Sequence, residues 1–181
     1  MKLTPALLAL SVSAVLFSGV ASSAVISGTT SAKMKFTSTV VTGTCTAKVV
    51  DGSGTSTAEI KYGDIYRSDI GKSTVPLSIQ LSNCSGVTSA TVAAKPGSGG
   101  KCSGKSYDGG LKTAFEIWSG AVDTGVQLSC TTPPAAQTVT ISNGSGQYPM
   151  QSRIVAAEGQ TAATVEMGNV SAPVTFVVTY P

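Results

Sequence analysis

Apolar and polar side chains alternating at period two constrain this chain more than any other feature. Val75, Leu77, Ile79 and Leu81 are interleaved with Pro76, Ser78, Gln80 and Ser82, the pattern of a strand with one buried face. Val174, Phe176, Val178 and Tyr180 repeat it near the C-terminus. Val139 and Ile141 mark a shorter strand, and so do Val165 and Met167 with Thr164 and Glu166. Turn clusters separate these runs: Asp51-Gly52-Ser53-Gly54, Pro96-Gly97-Ser98-Gly99-Gly100, Asp108-Gly109-Gly110 and Asn143-Gly144-Ser145-Gly146. No stretch of a dozen residues carries a 3.6-residue period. Many short strands divided by Gly-rich turns predict an all-β sandwich.

The first residues read as an address. Lys2 supplies a minimal positive region, Ala6 to Val20 is largely apolar, and the small residues Ala21, Ser22, Ser23 and Ala24 follow. This layout predicts a secretory signal peptide over residues 1–24, too short to span a bilayer comfortably and followed by no basic stop-transfer cluster. The remaining residues, 25–181, are of single-domain size.

Composition narrows the function. The formal charge is +3, and Lys2 leaves with the signal peptide. So weak a charge, spread along the chain, does not suit nucleic acid or an anionic membrane surface. The chain has no His, which removes Ser-His-Asp and Cys-His catalysis and the commonest metal ligand. Its nine acidic residues are dispersed, and no Ser sits in a recognisable nucleophile context. The reading is a non-enzyme with no catalytic residues, cofactor or metal.

Cys45, Cys84, Cys102 and Cys130 form no C-x-x-C pair, which leaves zinc and thioredoxin-like readings without support. An even count in an exported chain predicts two disulfides, and the three ways of pairing four Cys all remain open on spacing alone.

Two segments stand apart. Residues 101–130 are the least regular and hold the only Trp, Trp118, in the run Ala114-Phe115-Glu116-Ile117-Trp118. Phe115 and Ile117 are expected to face the core, with Trp118 capping a sheet edge; alternatively Trp118, with Tyr107 and Lys105 nearby, offers an adhesion surface. In the N-terminal arm, residues 25–35, Ile26, Gly28, Thr30, Ala32 and Met34 fall on one face. It alternates like a strand, yet its first half has small side chains and little to hold it in place alone. It is either a frayed terminus or a strand whose partner lies on another molecule.

Three stretches resemble the subunits of chaperone–usher pili, of the type 1/K99-like pilin family. The first is Lys35-Phe36-Thr37-Ser38-Thr39-Val40-Val41-Thr42-Gly43-Thr44-Cys45, similar to the family's opening strand. The second is Tyr62-Gly63-Asp64-Ile65 leading to Pro76-Leu77-Ser78-Ile79-Gln80-Leu81-Ser82-Asn83-Cys84, where a strand ends in Asn-Cys. The third is the terminal run with Phe176, Val178 and a penultimate Tyr180. Found together, in this order and behind a signal peptide, they carry a resemblance that covers nearly the whole exported sequence.

The resemblance implies an immunoglobulin-like β-sandwich (residues 36–181) that lacks its seventh strand and is completed by donor-strand complementation. It implies a Cys45–Cys84 bridge, which leaves Cys102 to pair with Cys130; such bridges contribute about 3–4 kcal/mol each. The second bridge and the terminal Pro181 depart from the family pattern. It also implies partners. A periplasmic chaperone would cover the strand carrying Val174, Phe176, Val178 and Tyr180 and hold the Pro181 carboxylate. An outer-membrane usher would then let the arm of the next pilus subunit replace the chaperone strand. The subunit would travel through the periplasm to the cell surface and support adhesion as part of a fimbria. A rival reading makes it a host-glycan-binding adhesin through residues 102–130.

Overall fold

The computed structural model describes residues 43–132, 134 and 137–181. The expected signal peptide (1–24), the arm with Ile26, Gly28, Thr30, Ala32 and Met34, and the first residues of the expected domain lie outside these.

Ten strands are present among the described residues: β1 (Thr44–Asp51), β2 (Thr74–Ser85), β3 (Ser89–Pro96), β4 (Cys102–Ser103), β5 (Ser106–Gly110), β6 (Thr113–Ser119), β7 (Val126–Gln127), β8 (Gln137–Thr140), β9 (Gly146–Ala156) and β10 (Val174–Thr179). One sheet runs β1-β2-β9-β6-β5-β4, with β7 also paired to β6; the other runs β10-β3-β8. Every ladder is antiparallel.

The two sheets share one core. Leu77, Ile79 and Leu81 of β2, Ile117 of β6 and Tyr148 and Met150 of β9 meet Ala90, Val92 and Ala94 of β3 and Val139 of β8. Strand β2 holds its place because its alternation puts three branched side chains on the inner face, between β1 and β9. Burial of each stabilises the fold by roughly 1.5–3 kcal/mol.

Turn chemistry fixes the connections. After β1, the Asp51 carboxylate accepts hydrogen bonds from the backbone N–H of Ser53 and Thr55, both at 2.9 Å. These and the Ser53 hydroxyl hold its pKa below the ordinary value. Between β8 and β9 the chain crosses from one sheet to the other through Asn143 and Gly144, at φ 51° and 72°. Asn and Gly tolerate that left-handed geometry best.

Two expectations fail here. Residues 164–167 are not a strand: Ala162–Thr164 is a single 3-10 turn, and the Thr164 hydroxyl accepts the Thr161 N–H at 3.1 Å. A hydroxyl that binds nearby backbone competes with strand pairing, and Val165 is buried while Met167 is exposed. Nor is 101–130 an irregular insert. It contributes β4 to β7, and β6 pairs with β9 along its whole length. Its alternation is hidden by polar residues in buried positions, among them Ser106 and Thr113, the latter bonded to the Gly110 carbonyl at 2.7 Å.

Candidate functional site

The outermost strands of the two sheets, β1 and β10, lie on the same flank of the sandwich. The Tyr180 hydroxyl, just after β10, donates to the Cys45 carbonyl of β1 at 3.4 Å. Among the described strands β1 pairs only β2 and β10 only β3, although the loop after β1 turns back on its last residues, with Val50 bridged to Ser56 and the Thr57 N–H donating to the Val49 carbonyl at 3.0 Å. Among the described residues β10 therefore presents an unpaired edge of backbone N–H and C=O groups, a template for a further strand.

Along this flank the apolar side chains are incompletely covered. Val174, Phe176, Val178 and Tyr180 point inward from β10, yet each is only half-buried; Cys45 and Val49 of β1 face them in the same condition. Ala47 stands opposite Leu81 on the inner face of its ladder and is nonetheless exposed. Among the described residues no strand covers this apolar groove, which the edge of β10 borders.

The groove widens where β10 begins. There an open cavity of about 1310 Å³ is lined by Phe115, Ile117 and Ile154 on one wall and by Val174 and Phe176 on another. The loop after β1 forms a third wall, anchored by Tyr62. Its hydroxyl donates to Ser152 Oγ at 2.6 Å, and its ring meets Phe115 at a centroid distance of 5.4 Å. Burial pushes the Tyr62 pKa up to about 12. The Tyr62-Gly63-Asp64-Ile65 motif is thereby placed as a groove wall.

The four cysteines pair as Cys45–Cys84 and Cys102–Cys130. The first ties β1 to the end of β2 at the groove; the second ties β4 to the segment after β7 on the far side of the sheet.

The two residues assigned to an adhesion surface part company. Tyr107 is 1% exposed, and its hydroxyl donates to the Leu128 carbonyl at 3.0 Å, so it belongs to the core. The residues two positions either side of it, Lys105 and Gly109, are not large apolar ones, so it gave no sign of depth in the sequence. Trp118 does not cap an edge either. Strand β6 is internal at that point, with Trp118 paired to Gln151 on one side and Gln127 on the other. Its indole N–H donates to Glu116 at 3.0 Å. Glu116 also binds Arg153, which grips Asp123 through both terminal nitrogens at 2.8 Å. The two carboxylates hold the Arg153 pKa above its ordinary value. Trp118 is thus one end of a bonded cluster, half-buried on the outer face. Ile117 is buried in the core, and Phe115 packs on Tyr62.

No family model matches the chain. A curated relative from Escherichia coli K12, described as the uncharacterized fimbrial-like protein YadL, is 34% identical over 162 residues, covering 78% of this chain and 80% of its own length. Among solved structures, the P pilus rod subunit PapA is similar with a TM-score of 0.51 at 17% identity, covering 74% of this chain and 99% of that one. A subunit of a chaperone–usher pilus, from a structure addressing rod uncoiling, has a TM-score of 0.53 at 20% identity, covering 83% of this chain and 96% of that one. The fold common to the two solved structures agrees with the open sandwich described above, and the sequence likeness to the first relative places the family: the chain belongs to the fimbrial-like proteins.

Proposed function

We propose that this chain is a structural subunit of a bacterial surface fimbria, polymerising by donor-strand exchange after a periplasmic chaperone delivers it to an outer-membrane usher, and that the fibre supports cell adhesion. One observation carries the reading: the flank between β1 and β10 combines an unpaired edge with a row of half-buried apolar side chains. An added strand satisfies both at once. Residues 25–35 have the alternation to supply it, with Ile26 and Met34 as the larger apolar side chains and Gly28 suited to a narrow point. Burying Ile26 and Met34 would contribute roughly 1.5–3 kcal/mol each, and each backbone hydrogen bond about 0.5–1.5 kcal/mol. Because every subunit gives an arm in one direction and receives one from the other, the contact does not close on itself and a fibre grows.

Deleting residues 25–33 should leave a folded, disulfide-bonded subunit that is exported but forms no fibre. Long fibres from that deletion, seen by electron microscopy of sheared cells, would overturn the role given to the arm. The glycan-binding alternative draws less support, since Tyr107 is in the core and Trp118 is engaged with Glu116.

A further inference from the structure

We infer that the wide mouth of the groove, beside the start of β10, is a docking surface for the body of the adjoining copy of this chain, with Tyr66 and Met167 as its apolar contacts. The inference rests on the strand-exchange reading and adds a second contact to it, outside the groove.

Tyr66 and Met167 are the two most exposed large apolar residues among those described, at 73% and 89%. Both border the cavity that also meets Val174 and Phe176. They sit on separate loops that are fastened together: Arg67, next to Tyr66, donates from Nε to the Val165 carbonyl at 2.9 Å. A Lys112–Glu166 ion pair at 2.6 Å holds the residue before Met167. Two bulky, largely exposed side chains lining one cavity on loops braced to each other are a surface waiting to be covered.

Direction identifies what covers it. Every ladder in the described chain is antiparallel, and antiparallel pairing is the more stable per residue. A donor strand antiparallel to β10 starts near Tyr180, where the hydroxyl contact to Cys45 draws the flank together, and leaves where β10 begins. Its own domain follows at that mouth. The segment 35–43 reaches about 28 Å at full extension, and a domain of this size has a radius of gyration of about 15 Å. The donor's body is therefore tethered within contact distance of Tyr66 and Met167.

Methionine oxidation reads this contact directly, because its rate follows exposure. Fibres sheared from cells are compared, by peroxide pulse and mass spectrometry, with the exported chain kept monomeric by excess synthetic peptide of residues 25–35. The peptide fills the groove but brings no body. Met150, at 2% exposure, is the buried internal reference. The expected result is Met167 oxidised about tenfold more slowly in the fibre than in the peptide-filled monomer. Equal rates in the two would overturn the docking contact and leave strand exchange standing. Equal protection of Met167 in the peptide-filled monomer would also overturn it, by making the arm itself the cover. Absence of fibres from cells producing the intact chain would remove the strand-exchange reading beneath both. A Tyr66→Ser, Met167→Ser chain, altered only at exposed positions, should still take up the peptide while giving fibres that break more readily under shear. Unchanged shear resistance would count against the contact.

Discussion

The two flanks of the sandwich are built from similar residues and finished differently. On the far flank, Tyr107, Leu128, Cys130, Val139 and Ile141 are all buried, and the Cys102–Cys130 bond closes over them. On the near flank, Val174, Phe176, Val178 and Tyr180 are as apolar, yet each keeps part of its surface in solvent. Strands β2 and β10 make the same point at closer range. Both alternate at period two; Leu77, Ile79 and Leu81 are 6%, 2% and 0% exposed, because β2 has a neighbour on each side. Alternation states which face of a strand is apolar. It does not state whether anything arrives to cover that face.

The difference can be broken most strongly from the closed side. Ile79→Ala would open a cavity between β1, β3 and β9 and should cost about 3–4 kcal/mol of unfolding free energy, whether or not the groove holds a peptide of residues 25–35. Urea denaturation with and without peptide checks both parts. Replacing Cys102 and Cys130 together by Ser should cost about 3 kcal/mol, from the loop of 28 residues' separation that the bridge closes. That loss too should be independent of the groove. A large peptide dependence in either variant would mean that the flanks are coupled rather than separate.

Phe176→Ala sharpens the contrast from the open side. With the groove empty, a half-buried ring has little to lose, and the cost should be about 1–2 kcal/mol. With the peptide bound the same ring is enclosed, and the cost should rise to about 3–5 kcal/mol. Peptide affinity should fall by the difference, readable by titration calorimetry. An equal cost in both states would mean that the added strand does not pack on Phe176.

How much of this was legible follows from the same logic. β2, β10 and the turns at Asp51 and Asn143 are plain in the sequence because their residues obey local rules. β9 is not, although it is the strand on which both β2 and β6 pair. Its inner face carries a buried polar residue, Ser152, whose hydroxyl accepts from Tyr62, and its outer face carries Pro149, a residue that argues against a central strand. β3 is obscured by small size: Ala90 and Ala94 are core residues without a strong apolar signal. The groove itself was legible only through the family resemblance. Openness belongs to the relation between β1 and β10, which lie at opposite ends of the domain's sequence, and no local pattern encodes it.

The smallest effect separates the flanks by pH. Tyr62 at the open cavity and Tyr107 in the closed core both have their pKa raised by burial to about 12, from 10.0. A raised folded-state pKa means that the unfolded chain releases the proton first. The stabilisation is complete below pH 10 and is lost as pH rises from 10 to 12. Tyr62→Phe and Tyr107→Phe should each make that alkaline decline shallower, at a cost near neutral pH of about 1 kcal/mol for the hydrogen bond to Ser152 or to Leu128. The peptide of residues 25–35 should distinguish them. Filling the groove buries Tyr62 further and moves its ionisation upward, while Tyr107 is already enclosed. With Tyr180, which lines the groove, replaced by Phe in both chains, ultraviolet titration of Tyr107→Phe with peptide should therefore show the upward move, and titration of Tyr62→Phe should not. A peptide-dependent shift in Tyr62→Phe would place the responsive tyrosine in the closed flank and undo the distinction between the two.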